Sequence, residues 1–144
     1  MTVLYVLDTE HLTLLQRRHR AVLARFTALP PEVIAATIVS AMEQVRGRLA
    51  QIHRAKTTPE VVEAFARFQE ALTFYRTVPV LPYDATAAAH FARVRQGLQR
   101  RPGTQDLRIA AIALSRGATL VTCNQRDFQG ITGLQLEDWS VPTS

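Results

Sequence analysis

"QDLRIAAIALSRGATLVTCNQRDF", residues 105–128, decides the fold. Its first half reads as a helix over 105–116. Thr104 stands where an N-cap belongs, and Asp106 falls in the first turn, where a carboxylate meets the positive end of the helix dipole. "IAAIAL" beyond it marks a deeply packed helix, and Gly117 closes it at the C-cap position. "ATLVTC" then reads as a strand over 118–123. Its apolar run is unbroken, as in a parallel strand covered on both faces. A short helical turn over 125–129 follows. Thr122, Asn124 and Asp127 therefore sit at the carboxyl end of a buried strand, where open α/β sheets bind their ligands.

The same grammar runs through the chain. A strand is expected over 2–7, then a helical region over 10–28 broken near Gln16–His19. "LPPE" at 29–32 is a turn. A β-rich run covers 33–37, and a helix runs from about Ser40 to Arg54. "KTTPE" at 56–60 starts another, with Thr58 as N-cap and Pro59 first in the helix, reaching about Arg76. "VPVLP" at 78–82 is a short strand. Asp84 or Thr86 caps a helix to Arg100, "RPG" at 101–103 breaks it, and a weak last strand lies at 134–137. Strands alternating with helices predict a three-layer α/β/α domain with a mainly parallel sheet of four to five strands, a single domain over residues 1–144.

The bulk numbers fit. At 144 residues, 47% hydrophobic and 20% charged, the chain reads as globular. Its apolar runs fall far below the ~20 residues of a membrane helix, and the first stops at Asp8 with no basic segment before it. The lone Cys123 cannot form an internal disulfide and reads as buried and inert. A cytoplasmic protein is expected. Seventeen basic residues, sixteen of them Arg, face twelve acids for a net charge of +5. Arg suits phosphate, so the excess is compatible with nucleic acid, although a merely solvated, Arg-rich surface explains it as well.

The acids carry the chemistry. Asp8 ends the first strand in "VLYVLDTEH" (3–11), with Thr9 and Glu10 beyond it; a helix cap explains it alone. Glu43 lies at the edge of an apolar stripe, Ile38, Met42, Val45, Leu49 and Ile52, with Gly47 one turn later suggesting open space. A surface pair with Arg46 is the plain alternative. Asp106, Asn124 and Asp127 each have a capping explanation too. Taken together, they gather oxygens at the carboxyl edge of one sheet. Crowded carboxylates repel unless a cation is present, and a hard oxygen set suits Mg²⁺ or Mn²⁺. The four histidines show no ligand spacing and read as surface or satisfied residues.

With these residues in place, the chain resembles the PIN-domain ribonucleases, and among them the VapC-like toxins of toxin–antitoxin pairs. The resemblance rests on "YVLDTEHLTLL", "TIVSAMEQVRGRL" and, most strongly, "QDLRIAAIALSRGATLVTCNQRDFQGITGLQLEDW". It spans nearly the whole chain in order, the middle helices matching only in size. It implies a metal-dependent endoribonuclease with Asp8, Glu43 and Asp106 as core acids. The fourth place falls on Asn124 or Asp127, with Asp127 the acidic member. It implies Mg²⁺ or Mn²⁺ as cofactor, with Thr9, Thr122 and Asn124 orienting water or phosphate and Arg108 and Arg126 as candidate grips on the RNA backbone. It further implies a homodimer and a small VapB-like antitoxin, with Leu12, Leu14, Leu15, Val22, Leu23 and Phe26 as candidates for its groove or, more plainly, for the core. Glu10 departs from the family, which usually has Asn or Asp there.

Two other readings compete. A haloacid-dehalogenase-like phosphohydrolase or a receiver domain also places Asp after strand one, but wants a lysine at a later strand end, and Lys56 is the only lysine. A PIN fold that binds RNA or protein without cutting would have lost acids, and here they are present. No phosphate-binding glycine motif occurs.

Overall fold

The computed structural model describes residues 3–98 and 102–142. In chain order its elements are β1 (Tyr5–Leu7), α1 (Thr9–Gln16), α2 (Arg20–Ala28), a 3₁₀ turn (Pro31–Val33), β2 (Ile34–Thr37), α3 (Ile38–Arg54) and α4 (Thr58–Phe74). After these come β3 (Val80–Leu81), α5 (Ala85–Gly97), α6 (Thr104–Ser115), β4 (Thr119–Val121), α7 (Gln125–Phe128) and β5 (Gln135–Glu137). The five strands form one sheet in the order β3-β2-β1-β4-β5, and every pairing is parallel.

β1 lies at the centre, with Val6 opposite Ala35 of β2 and Leu120 of β4. Successive strand residues point to opposite faces. Val6, Ala35 and Leu120 accordingly join one core with Leu107, Ile109 and Ile112 of α6 and Ala87 of α5. Leu7, Ala36 and Val121 join the other, with Leu12 and Leu15 of α1, Val22 of α2 and Trp139. Both faces are covered, which is why the strands read as unbroken apolar runs. The chain steps from β1 to β2 and β3 on one side, then crosses to β4 and β5 on the other. At such a reversal, here the carboxyl ends of β1 and β4, open α/β sheets bind their ligands.

Local chemistry sets the boundaries. The α6 end is a Schellman turn: Gly117 at φ +62° donates to Leu114 O, and Ala118 donates to Ala113 O at 2.9 Å. Asp84, rather than Thr86, caps α5 through Ala87 N at 3.0 Å. α4 is capped by Thr57, one residue before the expected Thr58, because Thr57 and Glu60 form a reciprocal capping box. The bonds from Thr57 hold the Glu60 carboxyl below its ordinary range. α6 begins on Gly103 with no side-chain cap, which corrects the assignment of that role to Thr104. The strands are shorter than the apolar runs that encode them. The expected ends at Thr2, Arg100 and Arg101 lie outside the described residues.

The largest correction concerns α3. Its apolar stripe faces out: Ile38, Met42 and Leu49 are exposed, while Val39, Ser40 and Gln44 are buried. Ser40 and Gln44 find hydrogen-bond partners in α1 and in Tyr75 just after α4, so these polar side chains can face inward. In the packing of α1 and α2, Leu12, Leu15 and Val22 are buried core, the plainer of the two readings, whereas Leu14, Leu23 and Phe26 pack against it half-buried. Among the described residues, no helix is long and apolar enough to cross a membrane.

Candidate metal centre

Asp8 follows β1 and is both cap and candidate ligand. Its N–H donates to Val121 O at 3.0 Å, which hooks it to β4. Its Oδ1 accepts the His11 N–H at 2.8 Å as the N-cap of α1. The cap explanation therefore holds, and it uses one carboxylate oxygen.

Glu43 is not a surface partner of Arg46. Its Oε1 accepts the Thr9 hydroxyl at 2.7 Å. Thr9 Oγ1 lies 2.9 Å from the buried Ser40 Oγ, and with its own proton committed to Glu43 it accepts from Ser40. Thr37 in turn donates toward Ser40 at 3.5 Å and caps α3 through Ser40 N at 3.1 Å. This run of hydroxyls carries position from the end of β2 to the residue beside Asp8. Gln44 extends the same seam. Its amide exchanges bonds with Gln16 at 2.9 and 3.2 Å and donates to Thr13 at 3.1 Å, and its carbonyl also accepts from Tyr75. Burial, and then the negative field of Glu43, push the Tyr75 hydroxyl above its ordinary range, so it stays a donor.

Asp106 sits in the first turn of α6, half-buried. Its carboxyl is held above the ordinary carboxylate range, first by burial and then by the negative fields of Glu43, Asp8 and Asp127; Glu10 contributes least. Acids from three other segments thus act on one group. At the end of β4, Asn124 Nδ2 donates to Asp127 Oδ2 at 2.6 Å, and Asn124 N–H donates to the buried Thr122 Oγ1 at 3.0 Å. Thr122 therefore shapes the loop, and Asn124 orients Asp127. Glu10 is exposed, and no hydrogen bond or ion pair ties it to Asp8.

Of the two arginines, Arg126 lies exposed on α7. Arg108 donates to Gln105 at 3.1 Å and stacks over Tyr83 and Phe91 at 5.9 and 5.5 Å. Lys56 is exposed between α3 and α4, not at a strand end, so the lysine that a phosphohydrolase or receiver reading needs is missing.

Sequence reasoning missed His11, Ser40 and the segment Asp138–Trp139–Ser140. His11 is fully buried: Nε2 accepts the Trp139 N–H at 3.2 Å and Nδ1 lies 3.2 Å from Asp8 Oδ1. Its place three residues after a strand-end acid, where it shares the Asp8 cap, was the available signal. Cys123 is half-buried rather than buried. It donates to Ser140 Oγ at 3.4 Å, and burial pushes its thiol up, so it stays protonated. Burial works to raise Asp138, but the bonds from Ser140 and the nearness of His11 leave its carboxyl below the usual range. Donor atoms of His11, Cys123 and Asp138 lie within 4.8 Å of one another. Both ring nitrogens of His11 are already engaged, and the mixed soft donor set differs from the all-oxygen set of the acids.

Asp8, Glu43, Asp106 and Asp127 offer oxygen donors alone, and the negative charge felt at Asp106 is of the kind a cation relieves. That set fits a hard divalent ion which keeps several of its waters.

The sequence pattern of the PIN domain family matches residues 5–134. The tRNA(fMet)-specific endonuclease VapC of Shigella flexneri is 47% identical over 70 residues, which make up 46% of this chain and 53% of that protein. The chain thus spans about half the length of that relative. Ribonuclease VapC1 of Haemophilus influenzae strain R2866 is 29% identical over 143 residues, 96% of this chain and 99% of that one. Among solved structures, VapBC-1 from nontypeable Haemophilus influenzae superposes with a TM-score of 0.77 at 26% identity, covering 96% of this chain and 100% of that chain.

Proposed function

The chain belongs to the PIN domain family, and from that premise we propose that it is a divalent-metal-dependent endoribonuclease, the toxin of a VapBC-type toxin–antitoxin pair, acting as a single domain. The observation that carries this reading is the 2.7 Å bond by which Thr9, next to Asp8, holds Glu43 at the end of β1, with the negative charge of Glu43, Asp8 and Asp127 felt together at Asp106. Acids that served only as caps or surface charges would have no reason to gather there.

Asp8, Glu43, Asp106 and Asp127 would hold Mg²⁺ or Mn²⁺, directly or through water. The bound ion supplies an activated water and neutralises charge developing on the phosphodiester. One of these carboxylates would accept the proton of the attacking water. Thr9 fixes the Glu43 carboxylate, and Asn124 fixes Asp127. Arg126 stands exposed on the loop that carries Asp127 and is placed to meet an RNA phosphate.

A VapB-like antitoxin and a second copy of the chain are the proposed protein partners. Support comes from α3 and α4, where Ile38, Met42, Leu49, Val62, Phe65 and Leu72 are exposed; apolar surface of this kind marks interfaces.

The test is cleavage of RNA with Mg²⁺ or Mn²⁺ by wild type and by Asp106→Asn. Cleavage by the wild type alone is expected. Equal cleavage by both, or none by either, overturns the nuclease reading in favour of a binding module.

A further inference from the structure

We infer that His11 is a positioning residue for Asp8, coupling the C-terminal segment Asp138–Trp139–Ser140 to the candidate metal centre. The inference rests on the reading of Asp8 as one of the cation-holding acids.

The geometry assigns the ring proton. Nε2 accepts the Trp139 N–H at 3.2 Å, so a neutral imidazole carries its hydrogen on Nδ1, which points to Asp8 Oδ1 at 3.2 Å. The ring is fully buried, so water cannot replace either bond. Asp8 Oδ1 then receives two bonds from one residue, the backbone N–H at 2.8 Å and the imidazole. A single bond from the backbone would leave the carboxylate free to turn about it. Two bonds fix its plane and leave Oδ2 for a cation. Hydrogen bonds to a ligating carboxylate act in this way, and their loss typically weakens metal binding by about 10–100-fold.

The far side of the ring is held just as firmly. Trp139 is fully buried, its Nε1–H donates to Glu137 at 3.0 Å, and Arg25 stacks over its ring at 5.3 Å. Asp138 Oδ1 lies 3.4 Å from Nε2 and accepts the Ser140 N–H at 2.8 Å. A segment far from the acids in sequence thus sets the orientation of the first of them through one side chain.

Titration of the metal-free protein with Mn²⁺, followed by calorimetry, separates this role from a structural one. His11→Leu removes both ring contacts and should weaken Mn²⁺ affinity by about 10–100-fold. His11→Asn places an amide N–H where Nδ1 stood and should restore affinity toward wild type. His11→Gln places a carbonyl beneath the Trp139 N–H but no donor at Asp8, so affinity should stay weak. Melting temperatures are measured for all three. Affinity that follows the donor facing Asp8 supports the inference, and affinity that follows melting temperature overturns it. Asp106→Asn marks the underlying reading. Binding lost in Asp106→Asn but unchanged in a folded His11→Leu overturns the inference and leaves the acid site standing. No saturable binding by the wild type overturns both.

Discussion

Neutralising Asp106 should make the metal-free protein more stable. Asn keeps the shape of the side chain and removes a charge that burial and four neighbouring acids oppose. For a half-buried group, after discounting for solvent screening, relief of that crowding is worth on the order of 1–2 kcal/mol. The charge also sits in the first turn of α6, where its loss forfeits about 0.3–1 kcal/mol of dipole stabilisation. Relief wins by roughly 1 kcal/mol, or about 2–4 °C in melting temperature for a chain of this size.

The pH dependence has a definite sign. Asp106 binds its proton more tightly folded than unfolded, so protonation favours the native state. That contribution is fully present below the unfolded carboxylate value of about 3.9 and is lost as pH rises through the higher folded value. Wild type therefore carries the cost of a charged Asp106 at neutral pH, and the advantage of Asp106→Asn should shrink on acidification. Excess Mn²⁺ should reverse the order: at 100 times Kd a ligand adds about 2.7 kcal/mol to the wild type and little to a variant that no longer binds it. Thermal melts in chelator at neutral and acid pH, and again with Mn²⁺, give all three comparisons. A variant less stable than wild type in chelator at neutral pH, with no reversal by Mn²⁺, would refute the argument that these acids are crowded enough to require a cation.

Thr9→Val deletes the 2.7 Å bond to Glu43 and the contact with Ser40. It should cost about 1 kcal/mol of stability and at least about tenfold in RNA cleavage, read from urea unfolding and initial rates. Gly47→Ala meets no atom within 4 Å in the middle of an exposed stretch of α3. It should stabilise by about 0.5–1 kcal/mol with cleavage unchanged; lost cleavage would mean that substrate uses the space. Trp139→Phe removes the Nε1–H bond to Glu137 and weakens the stack with Arg25, for a loss of about 1–2 kcal/mol in circular-dichroism melts.

The parts of the fold that depend on neighbours in sequence were legible. The unbroken apolar runs marked buried parallel strands, Gly117 marked the end of α6, and the strand-end positions of Asp8, Asn124 and Asp127 placed them at one sheet edge. Glu43 was harder, because its position depends on how α3 is rotated about its own axis. An apolar period identifies a helix but not which face meets the core. The pairing of His11 with Trp139 was not legible, although the place of His11 three residues after Asp8 was. The two are 128 residues apart, and the bond between Nε2 and the Trp139 N–H leaves no local pattern. The stack of Arg108 on Tyr83 and Phe91 was not legible either, because guanidinium is equally suited to phosphate and to aromatic faces.

The rotation of α3 links the candidate site to the partner surface. Turning Ser40 and Gln44 inward buries polar groups, which is tolerable because α1 and Tyr75 supply them with hydrogen bonds. The same rotation aims Glu43 at Thr9 and so toward Asp8. It also leaves Ile38, Met42 and Leu49 in water. A rotation that buried those three instead would gain apolar burial and would carry Glu43 away from Thr9. The helix thus gives up burial within the chain to hold an acid in place, and a second chain laid on α3 and α4 would recover it. If that is so, burying the stripe should stabilise the protomer, and Ile38→Ser together with Leu49→Ser should weaken association while sparing both the Thr9–Glu43 bond and cleavage by the isolated chain. Sedimentation and cleavage rates read the two effects separately. Loss of cleavage in parallel with loss of association would show that the outward face of α3 serves the site and not a partner.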